Sequence, residues 1–190
     1  MRVDYYVVDV ETANQFRHSI CQIGIAAFAD GRMVESWESL VNPHDDFLAF
    51  NVQLHGIGPK TVERAPGWSE VWEKVNSMLA GAAVASHTEF DRGALAQACM
   101  RHEMPAIAYG KWLDTCWLAR HAWPHLLNHK LPTLARSFGI VYKAHDALED
   151  ARVAGEILAL AMKERGVTLG ELLAGEKNHI TGFPKAVVTR

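Results

Sequence analysis

Asp9 and Glu11 stand one residue apart at the end of the apolar run Tyr5-Tyr6-Val7-Val8-Asp9-Val10. That run reads as a buried strand from Tyr5 to Val10, and side chains two apart in a strand share a face. Two carboxylates side by side at the rim of an apolar strand repel each other unless a cation or a proton joins them. Oxygen donors in that arrangement suit Mg²⁺ or Mn²⁺ better than zinc. The plainer reading is a strand whose last residues merely reach solvent, and the pair alone leaves both readings open. Further chemistry-bearing residues sit where element ends are expected: Asp91, Asp114, Asp150, and His145 shortly before the last long helix. Such ends hold side chains on a rigid scaffold while loops shape a substrate site.

The elements that must position these groups follow from periodicity. Ile20–Phe28 is rich in β-branched residues and predicts a second strand; Asp30-Gly31 supplies the positive φ angles of a two-residue hairpin. Met33–Val41 then alternates as a third strand, ended by Asn42-Pro43. Residues 44–66 show no regular period. Trp68–Leu79 has helical spacing of Trp68, Val71, Trp72, Val75 and Leu79. Ala82–Ser86 predicts a short buried strand, Ala94–His102 a helix, Tyr109–Asp114 a fifth strand, and a helix runs on through Arg120 until Pro124. Leu131–Phe138 predicts a short helix, and a strong helix from Asp146 to Glu164 follows, with Asp146 and Glu149 paired at its cap. Val167–Ala174 is read as one more short helix. Three strands joined in series, then strands alternating with helices, argue for an α/β fold with a mixed sheet flanked by helices.

The 190 residues fit one domain able to bury a full core. With 49% hydrophobic and 22% charged residues the profile is that of a soluble globular protein. A net charge of −3 gives no global basic field, so a polyanionic partner must be held locally or through metal ions. Cys21, Cys99 and Cys116 have no metal-type or redox spacing, which fits buried thiols in a reducing compartment. No apolar run approaches membrane-spanning length and no cleavable signal pattern stands at the start, so the expected location is cytoplasmic.

Taken together, Asp9-x-Glu11, His87-x-x-Phe90-Asp91 and His145-Asp146-Ala147-x-x-Asp150 resemble the three motifs of the DEDDh branch of the 3′–5′ exonucleases, a family that includes bacterial proofreading subunits and ribonuclease T. Cys21-Gln22-Ile23-Gly24, Leu54-His55-Gly56-Ile57 and Leu113-Asp114-Thr115 match its intervening segments, so the resemblance runs from about Val3 to Leu160. It implies a ribonuclease H-like mixed five-stranded sheet, with one exonuclease domain over residues 1–175 and the tail 176–190 unassigned. By the same resemblance Asp9, Glu11, Asp91 and Asp150 would hold two divalent ions, Mg or Mn. His145 would be the general base, and an unperturbed imidazole pKa near 6.5 suits that task. The backbone around Val10 and Thr12, with the His55 side chain, would hold the terminal nucleotide. Phe16, Phe47 and Phe50 lie near that mouth in sequence and could stack bases.

The implied activity is release of nucleoside 5′-monophosphates from single-stranded DNA or RNA 3′ ends. The segment from His87 to Asp91 is one residue shorter than the common family form, which leaves His87 without a role. Ribonuclease T-like relatives pair up, so a homodimer is one option. Two rival classes are a nucleic-acid-binding module that has lost catalysis and a phosphatase or nucleotidase for small esters. Plainer roles are assigned elsewhere: Asp114 to a helix start, Trp68, Trp72, Met100 and Met104 to the core, and His121, His125 and His129 to the surface.

Overall fold

The structure, a computed structural model, describes residues 2–174; the tail 176–190 lies outside the described residues. Five strands form one sheet: β1 (Tyr5–Thr12), β2 (Ile20–Ala29), β3 (Arg32–Leu40), β4 (Ala83–Ser86) and β5 (Lys111–Asp114). Their spatial order is β3-β2-β1-β4-β5, with β1/β2 and β2/β3 antiparallel and β1/β4 and β4/β5 parallel. The helices are α1 (Ala49–His55), α2 (Pro59–Val62), α3 (Trp68–Leu79), α4 (Phe90–Arg101), α5 (Thr115–Ala122), α6 (Leu131–Ser137), α7 (Ala147–Arg165) and α8 (Leu169–Ala174). This is the mixed sheet flanked by helices that the sequence predicts.

The period-2 alternation of β1 sends its side chains to two cores. Tyr5 and Val7 join the layer formed with α5, α6 and α7, while Val8 and Val10 join the layer formed with α3 and α4. Asp9 and Glu11 continue the first series, so they emerge on the face that α7 covers. The β2–β3 hairpin turns as expected, Asp30 and Gly31 both having positive φ (50° and 72°) between the paired Ala29 and Arg32.

Several boundaries differ from the sequence expectation. β1 runs on through Glu11 and Thr12, because β2 continues to pair with it there. Helix α1 lies in the stretch without a readable period. Its apolar residues Phe50 and Leu54, like Leu48 at its N-cap, are exposed and only His55 is buried, so no inward stripe marks it. Helix α4 begins at Phe90 rather than Ala94, which puts Asp91 in its first turn. There a carboxylate complements the helix dipole. Met100 is a correction of another kind, being 79% exposed rather than core. Met104 is partly buried, and Trp72 packs at the α3–α4 layer with its indole N–H on the Pro105 carbonyl. The three cysteines are buried free thiols. Among the described residues no helix is long and apolar enough to cross a membrane.

Two close approaches seat α7 on the sheet. A Cβ at Gly24 of β2 would collide with the backbone of Ala147 and Leu148, and one at Gly155 of α7 would collide with the Phe28 ring. The Gln22 side-chain carbonyl accepts the Ala147 N–H at 3.2 Å, and Tyr5 donates its hydroxyl to the Gly155 carbonyl at 3.3 Å. The start of α7 is therefore fixed on β2 beside the carboxylates of β1.

Candidate active site

Asp9, Glu11, Asp91, Asp150 and His145 all line one cleft of about 570 Å³. Beyond Val7 the β4 side of β1 has no strand partner, and the free Val10 N–H donates instead to Asp91 Oδ1 at 3.1 Å. On the other side, the N–H of His145 donates to Asp150 Oδ2 at 2.7 Å. His145 itself has φ 62°, a left-handed turn that lets one short loop present both its own ring and that N–H. Its Nδ1 lies 3.9 Å from Glu11 Oε1. Glu11, His145 and Asp150 offer donor atoms within 4.8 Å of one another, and Asp9 and Asp91 stand outside that tightest group.

The electrostatics are those of an uncompensated acid cluster. Burial, then the neighbouring Asp150, Asp91 and Asp146, pushes the Glu11 pKa up to about 8. Burial pushes Asp91 to about 7 against the opposing pull of the Val10 N–H. Asp9 is raised well above the carboxylate range by burial and by Asp91, Asp150 and Glu11; burial also raises Asp150, offset in part by the His145 N–H. No lysine or arginine lines the cleft among the described residues. Four carboxyl groups with only oxygen donors and no cationic side chain fit hard divalent cations, and the chemistry of the donor set carries that fit.

Of the residues assigned to substrate by resemblance, Val10 and Thr12 line the same cleft and His55 does not. Val10 is buried and its N–H is committed to Asp91. The Thr12 carbonyl accepts Asn51 Nδ2 at 2.8 Å and His55 Nε2 at 3.2 Å. His55 is buried outside the cleft wall, and its Nδ1 accepts the Ile57 N–H at 3.0 Å. Both ring nitrogens are thus used within the protein, and burial lowers its pKa. His55 holds the end of β1 in place; what it leaves for substrate lies in the residues around it. Among the three phenylalanines, Phe50 lines the cleft and is 72% exposed, Phe16 stacks on His18, and Phe47 packs against a separate small cluster.

Sequence reasoning left several contributors unassigned. Gln22 and Gly24 position α7, and an isolated glutamine and glycine in a buried strand were the available signal. Leu48, Leu54 and Phe90 line the cleft, with the Arg17 guanidinium 5.0 Å above the Phe90 ring. His87 donates from Nε2 to the His129 carbonyl at 2.9 Å and accepts the Thr115 hydroxyl at Nδ1, 3.0 Å. Burial depresses its pKa to about 4, so it serves as a neutral tie under the cleft wall at Leu131 and Pro132. His129 is a correction: its ring is bonded to the Trp123 carbonyl at 2.9 Å rather than free at the surface. Asp114 caps α5 as expected, accepting the Trp117 N–H at 2.9 Å. Asp146 caps α7 through a long 3.5 Å contact to the Glu149 N–H, while Glu149 turns to Arg152 at 2.8 Å rather than back to the cap.

A five-stranded sheet with this order, and an acid cluster at the β1–α7 junction, define a nuclease-type α/β domain. The chain belongs to the Exonuclease family, whose model it matches over residues 6–158. It is 29% identical over 181 residues to the PolC-type DNA polymerase III of Caldanaerobacter subterraneus subsp. tengcongensis, covering 93% of this chain and 13% of that protein. The PolC-type polymerase of Streptococcus thermophilus is 29% identical over 164 residues, with 84% and 11% covered. The chain therefore spans only about an eighth of the length of these curated relatives. Among solved structures, exonuclease X in complex with 5′ overhanging duplex DNA superposes with a TM-score of 0.70 at 21% identity, covering 90% of this chain and 98% of that one. The nuclease domain of 3′hExo, a DEDDh family member bound to rAMP, gives 0.74 at 18%, with 85% and 93% covered. Escherichia coli exonuclease I in complex with a dA16 oligonucleotide gives 0.75 at 16%, with 85% and 41% covered. These structural likenesses bear on the fold, which they share.

Proposed function

We propose that this exonuclease domain removes nucleoside 5′-monophosphates from the 3′ ends of single-stranded DNA or RNA. In this reading Asp9, Glu11, Asp91 and Asp150 hold two divalent ions, Mg²⁺ or Mn²⁺, and His145 is the general base. The observation that carries it is the convergence of all five side chains on one cleft without a lysine or arginine. When bound, the ions neutralise charge at the scissile phosphate and acidify water. His145 lies on the cleft wall with its side chain 42% exposed, placed to take a proton from an attacking water and pass it to solvent. Phe50, Leu54 and Phe90 offer apolar surface to unstacked bases, a mode of contact that every base can satisfy. The polymerase and exonuclease relatives named above act in nucleic-acid contexts, which supports the substrate class.

End-labelled single-stranded DNA and RNA of one sequence, incubated with Mg²⁺ or Mn²⁺, test the reading. The expected product is a one-nucleotide ladder from the 3′ end, absent with EDTA and absent for Asp150→Asn. His145→Ala should lose cleavage by a factor of roughly 10²–10⁴ while keeping the metal-induced rise in melting temperature. A wild-type protein that binds the strands and yields no ladder on either would overturn the proposal.

A further inference from the structure

The turn between β1 and β2 carries a guanidinium that the site has not used. Its frame is a pair of buried polar residues, Asn14 and Ser19. Asn14 Oδ1 accepts the Phe16 N–H at 2.9 Å, and Asn14 Nδ2 donates to the Asp46 carbonyl at 2.7 Å. The Ser19 hydroxyl accepts the Asn14 N–H at 3.2 Å and donates to the Phe16 carbonyl at 2.7 Å. Between these ties Gln15, Phe16 and Arg17 are all exposed. Arg17 folds across the first turns of α4. Its guanidinium carbon lies 5.0 Å from the Phe90 ring centroid, and a Cβ at Gly93 would stand 2.4 Å from its Nη1 and 3.5 Å from its Cζ. Phe90 and Gly93 are three apart on α4, so the ring and the bare backbone form one seat on a single helix face. Glycine inside a helix is costly relative to alanine, and here the missing methyl makes room for the guanidinium. Asn14, Gln15 and Phe90 line the cleft and Arg17 does not, which puts the guanidinium just outside the wall they form. Among the described residues Arg17 enters no hydrogen bond or ion pair, so packing and not an acid holds its N–H donors in place.

We propose that Arg17, seated on Phe90 and Gly93, binds a backbone phosphate of the nucleic-acid strand upstream of the nucleotide being removed. The inference rests on the nuclease reading of the cleft given above. No lysine or arginine lines the cleft among the described residues, so phosphates beyond the scissile one need a cation outside its wall. A planar guanidinium presents paired N–H donors that match two phosphate oxygens, which an ammonium cannot do. Held against a ring, it has given up part of its freedom before the strand arrives, and less is lost on binding. The contact fixes the strand's position without reading its bases.

Arg17→Ala is compared with wild type on a short single-stranded DNA and on the p-nitrophenyl ester of thymidine 5′-monophosphate, which has no upstream phosphate. On the oligonucleotide KM should rise roughly tenfold with kcat unchanged. The gap in kcat/KM should narrow about 2.5-fold between about 50 and 200 mM salt, since one lost phosphate contact takes about 0.7 off the salt slope for a single strand. On the ester the two proteins should turn over alike. Gly93→Ala keeps the guanidinium and pushes it off its seat; it should raise KM for the oligonucleotide and melt no lower than wild type, alanine being the better helix former. An Arg17→Ala variant with wild-type KM on the oligonucleotide overturns the proposal. So does an equal loss on oligonucleotide and ester, which would place the effect inside the cleft, and so does a gap that salt leaves unchanged. Gly93→Ala with wild-type KM overturns the seat. A wild type that cleaves neither substrate with Mg²⁺ or Mn²⁺ overturns the nuclease reading and this inference with it, so the wild-type digest tells the two failures apart.

Discussion

Replacing Glu11 by glutamine exchanges one oxygen for an NH₂ group and leaves a side chain of the same shape unable to ionise. In the fold the Glu11 carboxyl keeps its proton up to about pH 8, against an ordinary value of 4.5. Between those limits the folded chain holds a proton that the unfolded chain has released. Unfolding then releases it, and the metal-free protein loses stability as pH rises, by about 1.4 kcal/mol per pH unit. From pH 4.5 to pH 7 this group alone removes about 3 kcal/mol, and above pH 8 its contribution is flat. Asp9, Asp91 and Asp150 act in the same direction. Glu11→Gln should therefore melt higher than wild type in EDTA at pH 7, by roughly 6–12 °C for a chain of this size. Its advantage should shrink towards pH 5. Divalent metal should reverse the order, because wild type gains a ligand that the variant lacks, and cleavage by the variant should be abolished. Calorimetry or urea melts at pH 5, 6, 7 and 8, with EDTA and with Mg²⁺, read all of this. A wild-type stability that stays flat from pH 5 to 8 in EDTA, or a variant that melts below wild type at pH 8, refutes the reasoning.

Two substitutions away from the carboxylates check how the site is held. Gly24→Ala sets a methyl against the Ala147 and Leu148 backbone, so denaturant melts should show a loss of about 1–3 kcal/mol. Cleavage should fall by roughly tenfold or more, because His145 and Asp150 move with the start of α7. Asp114→Ala removes the α5 cap bond to the Trp117 N–H; stability should drop by about 1 kcal/mol while the rate of ladder formation stays at the wild-type value.

The parts legible in the sequence are those whose side-chain pattern answers to one core. The β2–β3 hairpin announces itself through Asp30-Gly31, and α3 matches its expected span from Trp68 to Leu79 because Trp68, Val71, Val75, Met78 and Leu79 are buried on one face. Asp9 and Glu11 were readable as a same-face pair because strand alternation is local. Helix α1 was not, since Leu48, Phe50 and Leu54 answer to the cleft rather than to the core. The start of α4 was hidden by the polar run Thr88-Glu89, where the Thr88 hydroxyl accepts the Phe90 N–H at 3.2 Å and opens the helix. Nor does local pattern show that His87 and His129 meet, since 42 residues separate them and only the closed fold aligns ring and carbonyl. The structural use of His55 was equally invisible, because its partners Thr12 and Ile57 are set by where β1 ends.

The seating of α7 on β2 has a bearing on when the protein becomes dangerous to nucleic acid. Asp9 and Glu11 leave a ribosome about 140 residues before Asp150, and nothing in β1 alone brings the third and fourth acids to them. The fit at Gly24 and Gly155 has no slack, so a partly docked helix leaves Asp150 and His145 displaced rather than loosely in place. Acquisition of the site is then tied to completion of the fold. On the proposed reading, a nascent or damaged chain that has lost this contact lacks Asp150 and His145 beside Asp9 and Glu11 and should not cleave.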